Sequence, residues 1–239
     1  MKKETLRRNR SLQIEMLESR EMLSVNPLLP LDDQQSDIAI VTSAPQFQSA
    51  ESVAPEVQAS IPSNANAADA AWLDNFLATH TNLTDSIATW SNGRITSLNL
   101  SNKGLTGTLD VSGLAALNRL DCYNNQLTSL DVSGLTALTR LDCSGNQLTA
   151  LGVSKNTALT ALVCHSNQLA SLDVSKNTAL TELWCDTNQL TSLDLNIALN
   201  TLSCSANRLT SLDLSKNTAL TKLWFYNNQL TSLDVSKNT

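Results

Sequence analysis

Five cysteines stand at 122, 143, 164, 185 and 204, and the two histidines at 80 and 165. Thiols and imidazoles are the raw material of nucleophiles, zinc sites and redox switches. Cys164 and His165 are adjacent, which invites comparison with a thiol nucleophile and its base. The spacing argues otherwise. Successive cysteines lie 21, 21, 21 and 19 residues apart, and each comes two residues after a leucine and three before an asparagine. On a strand, residues two apart point the same way and neighbours point oppositely. The leucine and cysteine therefore face inward together, and Cys164 and His165 point to opposite sides. Leu100 and Phe225 occupy the same slot, so the slot demands an apolar group, and free cysteine behaves as a small buried hydrophobe. Parallel strands are spaced as disulfides tolerate, but the side chains run parallel and an odd number of thiols leaves one unpaired. No zinc-ligand spacing, phosphate-cradling glycine loop, H-E-x-x-H or G-x-S-x-G occurs. The expectation is no catalytic residue, no metal and no cofactor.

The same spacing defines the architecture. Units open at Ile95, Leu117, Leu138, Leu159, Leu180, Leu199 and Leu220, and from Leu117 onward each reads L-x-x-L-x-C-x-x-N-x-L-x-x-L, with Phe225 for Cys in the last. A fixed period of about 20 residues marks a solenoid. One unit cannot bury enough surface to order itself, so stability belongs to the stack. The asparagines Asn125, Asn146, Asn167, Asn188, Asn207 and Asn228 form a second column. Their amides suit the closing of the turn after each strand, on backbone groups or on one another. "LTRLDCSGNQLTALGVSKN" and "LTELWCDTNQLTSLDLN" carry the full motif. Over residues 95–239 the pattern resembles the leucine-rich repeat family, and within it a short bacterial subclass. The resemblance implies an α/β leucine-rich repeat solenoid: a right-handed curved superhelix of short parallel strands and turns, with an N-terminal helical cap.

Three columns flank the inward pair and should line the concave face. Counting from each opening leucine, position +2 reads Arg119, Arg140, Ala161, Glu182, Thr201, Lys222. Position +4 reads Asp121, Asp142, Val163, Trp184, Ser203, Trp224, and +6 reads Tyr123, Ser144, His165, Asp186, Ser205, Tyr226. The core columns barely vary, whereas these do. Of nine aromatic residues, four (Tyr123, Trp184, Trp224, Tyr226) fall on this face, and exposed Trp and Tyr are what binding hot spots are made of. The candidate ligand surface is Trp184, Asp186, Trp224, Tyr226, Ser203, His165, Glu182 and Lys222. Ser203 should leave a gap between tryptophans about 10 Å apart, wide enough for a flat ligand, a sugar ring or a partner's apolar side chain. A weaker second patch is Arg119, Asp121, Tyr123, Arg140 and Asp142, whose charges can also pair among themselves. On the convex side Asp110, Asp131, Asp173, Asp194, Asp213 and Asp234 form a column whose repulsion Ser, Thr or Lys can relieve. The 19-residue unit drops two convex residues and should leave the concave strands in register.

Charge is uneven along the chain. Residues 1–26 carry net +2, residues 27–94 net −7 and residues 95–239 net −1, within a total of −6. A near-neutral array argues against nucleic acid, which needs a concentrated basic footprint. No apolar run approaches the ~20 residues of a membrane span. Residues 1–26 lack the apolar core of an ordinary secretory signal, but "LESREMLS" (17–24) resembles the LEPR-XLL motif of large bacterial surface proteins. That resemblance implies export and a cell-surface or extracellular location. Residues 27–68 hold all five prolines and read as a linker without stable structure. Residues 69–94 read as the cap: Trp72, Leu73, Phe76 and Leu77 share a helical face, with Asn66 or Asp69 at its start. Thr239 falls just short of the next unit's opening, so the sequence reads as a fragment with an uncapped final repeat open to edge pairing. The function expected is non-catalytic recognition of a protein or glycan at the cell surface through the concave face. The alternative is a rigid structural spacer.

Overall fold

The computed structural model describes the backbone of residues 13–15 and residues 61–195 and 199–238 in full. Of the linker expected over 27–68, residues 27–60 lie outside the described residues, as does the motif at 17–24; residues 61–68 are described and include the start of a helix. Each repeat contributes one short strand. These are β3 (Arg94–Asn99), β5 (Arg119–Asp121), β7 (Arg140–Asp142), β8 (Ala161–Val163), β9 (Glu182–Trp184), β10 (Thr201–Ser203) and β11 (Lys222–Trp224). Together with β1 (Gln13–Glu15) and β2 (Ala88–Ser91) they form one sheet in the order β1-β11-β10-β9-β8-β7-β5-β3-β2. All pairings are parallel except β2 with β3. The edge of β11, expected to stand open, is paired with β1.

The register matches the columns read from the repeat. Arg119, Arg140, Ala161, Glu182, Thr201 and Lys222 are successive partners, as are Asp121, Asp142, Val163, Trp184, Ser203 and Trp224. Deleting two residues from the 19-residue coil leaves this alignment intact, because Thr201 still pairs with both Glu182 and Lys222. A one-residue slip would turn the leucines out to water, so the alternation enforces the register. The leucines and all five cysteines are buried in one continuous core, and the cysteines are free thiols. Burial holds each thiol protonated, its pKa pushed well above the ordinary value.

The asparagine column stitches the coils together. Asn167 Oδ1 accepts the Leu148 amide at 3.0 Å, while its Nδ2 donates to the carbonyls of Cys143 and Cys164 at 3.1 Å. The same bonds recur from Asn125 to Asn228. These side chains bond backbone of the preceding coil and of their own turn, and not one another, because that is where the turn leaves amides and carbonyls unmet. One residue before each sits a left-handed backbone: Asn124, Gly145, Ser166, Thr187, Ala206 and Asn227 have φ between 52° and 61°, as does Asn102 before Lys103 in the first unit.

A second asparagine ladder, unforeseen in the sequence, runs through the other side of the stack. Asn156 donates to Val132 O and Leu135 O at 2.8 Å, Asn177 to Val153 O and Asn156 O, and Asn238 to Leu214 O and Asn217 O. Its signal was the repeated "KNTAL", which stands where earlier units have Leu114 and Leu135. The convex face carries one extended pair, β4 (Thr106–Asp110) with β6 (Gln126–Asp131), and a bridge between Asp173 and Asp194. The aspartate column there is relieved locally. Asp110, Asp131, Asp173, Asp213 and Asp234 each accept the amide of the serine two residues on, which holds their carboxyls below the usual range.

At the β2 end of the stack lies α1 (Ala67–Thr79). Asn66 caps it, accepting the amides of Ala68 and Asp69, so the expected boundary at 68/69 falls inside the helix. Asp69 is not a cap. Fully buried, it takes Arg94 in a two-pronged ion pair at 2.9 and 3.1 Å and the Ile95 amide at 2.8 Å. The Arg94 partner is what makes a buried carboxylate tolerable here. Leu73 enters the core, and Trp72 Nε1 donates to Asp110 O at 3.0 Å.

Candidate functional site

From β5 onward the concave strands are three residues long, so the residues they present come from the strand and the two positions after it. In the β9–β10–β11 segment this makes a three-by-three grid. Glu182, Trp184 and Asp186 come from one coil; Thr201, Ser203 and Ser205 from the next; Lys222, Trp224 and Tyr226 from the third. The expected gap at the centre of this grid is closed. The Trp184 and Trp224 rings lean together to a centroid distance of 5.5 Å at 27°, although their backbones are two strand spacings apart, roughly 10 Å. Ser203 beneath them is too small to hold them apart and is fully buried. Offset stacking of two indoles is favourable beyond the area it buries. Both indoles and Tyr226 remain half-exposed, Glu182 is half-exposed, and Lys222 is exposed.

Burial corrects the expectation that all three columns open to water. The middle column is largely shut: Asp121, Asp142, Val163 and Ser203 are 6%, 3%, 0% and 0% exposed. Where a small or short residue stands one strand from a long one, the long side chain covers it, because neighbouring strands are only about 4.8 Å apart. The concave face therefore offers the indole pair as its accessible centre, with polar groups around it.

The polar groups are anchored. Asp186 Oδ1 accepts the Ser203 hydroxyl at 2.5 Å and the Ser205 amide at 2.9 Å, tying the floor beneath the indoles to the neighbouring coil. Asp142 Oδ1 accepts the hydroxyl and the amide of Ser144 at 2.7 and 3.1 Å. Burial pushes the carboxyl of each above its usual range, against the pull of these serines. His165 lies on the coil between them, half-exposed, its Nδ1 3.1 Å from Ser166 Oγ. In the second patch Arg119 Nε meets Asp121 Oδ2 at 2.5 Å, the internal pairing foreseen for those charges. Arg140 and Tyr123 flank that pair, half-buried.

Cys164 is fully buried while His165 faces the concave side, so the adjacent thiol and imidazole form no nucleophile–base pair. Among the described residues no group of three or more His, Cys, Asp or Glu is placed to hold a metal ion. No described helix is long and apolar enough to cross a membrane.

A family model described as leucine-rich repeats, in two copies, matches residues 115–156. The functional domain of InlJ from Listeria monocytogenes, described as including a cysteine ladder, is 38% identical over 64% of this chain and 45% of that one, at a TM-score of 0.44. A leucine-rich repeat protein of Leptospira interrogans is 24% identical over 59% of this chain and 45% of that one, at 0.46. The plant peptide hormone receptor RGFR1, in complex with RGF2, is 27% identical over 58% of this chain and 25% of that one, at 0.52. The chain thus spans less than half the length of these structures. None of the curated proteins matches it significantly. The repeat motif, the parallel stack of coils it builds and the family model matched at residues 115–156 give this chain a leucine-rich repeat fold.

Proposed function

We propose that the chain is a non-catalytic recognition module that holds a protein or glycan partner on its concave face, centred on Trp184 and Trp224. The supporting observation is the stacked, half-exposed indole pair, set in columns whose other members are small, charged or buried. Large amphipathic rings at the centre of a face, ringed by Glu182, Asp186, Lys222 and Tyr226, have the make-up of an energetic hot spot. A bacterial cell-surface setting belongs to the same reading and rests on the 17–24 stretch and the repeat subclass. One observation favours a second reading, a rigid spacer: the indoles satisfy each other by stacking and close the gap a ligand would have entered.

The double substitution Trp184→Ala and Trp224→Ala separates the two. Under the recognition reading it abolishes capture of surface extracts, with far-UV circular dichroism preserved. Unchanged capture, or no capture by the parent chain, favours the spacer. Loss of hot-spot aromatics costs ~2 kcal/mol or more each, so affinity should fall at least about a hundredfold.

A further inference from the structure

The coil of β11 differs from those inside the stack. Leu190 and Leu209 are fully buried, whereas Leu230, in the same column, is only partly covered. Leu233 shows the same contrast with Leu193 and Leu212. On this side of the sheet β11 is the outermost repeat strand, and the strand laid against it is β1, from before the repeats. The pairing copies the repeat. Gln13, Ile14 and Glu15 partner Lys222, Leu223 and Trp224, as those three partner Thr201, Leu202 and Ser203. Ile14 thus stands at the register position that Leu183, Leu202 and Leu223 hold in their coils.

We propose that residues 13–15 serve as an attached edge strand that keeps a second copy of this chain from stacking end to end on the β11 coil. An open strand edge beside partly covered leucines is a template for another chain. A second copy offers the same edge and the same leucines, so a two-fold axis brings like surface to like. Chain length favours the attached strand. From β1 to β2 the sheet holds nine described strands, so it spans about 38 Å at ~4.8 Å per spacing. Residues 16–60 join β1 to the described segment that leads into α1 at the β2 end. An unstructured chain of that length has an r.m.s. end-to-end distance of about 34–40 Å. A tether whose reach matches its span gives the largest effective concentration, on the order of 1 mM. At about 10 µM chain, β1 is then favoured about a hundredfold over a second copy of equal intrinsic affinity. Backbone amides make the contact. In the β10–β11 pair the Lys222 amide donates to Asn200 O. Gln13 stands to Lys222 as Lys222 stands to Thr201, so the register turns the amides of Gln13 and Glu15 toward β11.

The test is sedimentation equilibrium of the full chain from about 1 to about 100 µM, with amide hydrogen exchange over residues 222–224 measured at the lowest concentration. Gln13→Pro with Glu15→Pro removes the two amides directed at β11 and leaves every repeat unchanged. This variant should dimerise with a dissociation constant at least about tenfold below the parent's, and β11 should exchange faster in it than in the parent. Gln13→Ala with Glu15→Ala keeps both amides and should match the parent in both measurements. Equal association of the parent and the proline variant, or a proline variant that stays monomeric, would overturn the guarding role. Equal exchange at β11 would overturn the pairing itself. An alanine variant that dimerises like the proline one would overturn the assignment of the contact to the backbone.

Discussion

The asparagine ladder gives the sharpest quantitative test, at Asn167→Ala. Asn167 is almost completely buried in the middle of the stack. The substitution removes the acceptor of the Leu148 amide and both donations to the Cys143 and Cys164 carbonyls, at 3.0, 3.1 and 3.1 Å. A net hydrogen bond is worth ~1 kcal/mol, and each backbone group stranded in the interior adds to the loss, so the total should be about 3–4 kcal/mol. Gln168→Ala, at an exposed neighbour, should change stability by less than ~0.5 kcal/mol. Urea unfolding followed by tryptophan fluorescence measures both. Because each coil touches only its neighbours, severing coils here should also lower the denaturant slope if the two halves uncouple. A loss under ~1 kcal/mol with an unchanged slope would mean that the ladder amides merely fill turns, and the account of how coils are joined would fail.

Two further outcomes follow from the same geometry. Thr187 is β-branched yet holds φ 52°, a region that L-residues other than Asn and Asp avoid at a cost of ~1 kcal/mol. Thr187→Asn should therefore stabilise the chain by about 0.5–1 kcal/mol and raise its melting temperature; a lower one would show that the threonine is held by contacts outweighing its backbone strain. All five cysteines are buried, so a thiol reagent should find none of them reactive in the native chain and all of them after denaturation. Reaction of Cys185 in the folded state would reverse the assignment of inside and outside across the sheet.

The columns were legible because a strand has period two and a repeat fixes its own register. Once Leu183 and Cys185 face in, Glu182, Trp184 and Asp186 must face out. The structure follows that alternation through every pair from Arg119–Arg140 to Ser203–Trp224. The second ladder was missed because Asn156 and Asn177 stand beside lysines in a stretch that reads as polar loop, and only their alignment with Leu114 and Leu135 of earlier units marks the slot as inward. Asp69 was missed for a related reason. Its partner Arg94 lies 25 residues away, and no local pattern joins them.

The amino-acid sequence by itself determined the number and spacing of the coils, the identity of the core columns and the register of the columns that flank them. These depend on alternation and on repetition, which are properties of the chain read in order. Tertiary structure alone decided that Trp184 and Trp224 close over Ser203, that Asp142 is buried while Asp186 ties down Ser203 and Ser205, and which carbonyls each ladder amide meets. Those outcomes depend on the few ångströms between neighbouring coils, where a long side chain either covers a short one or leans toward another. That distance exists only once the coils are stacked.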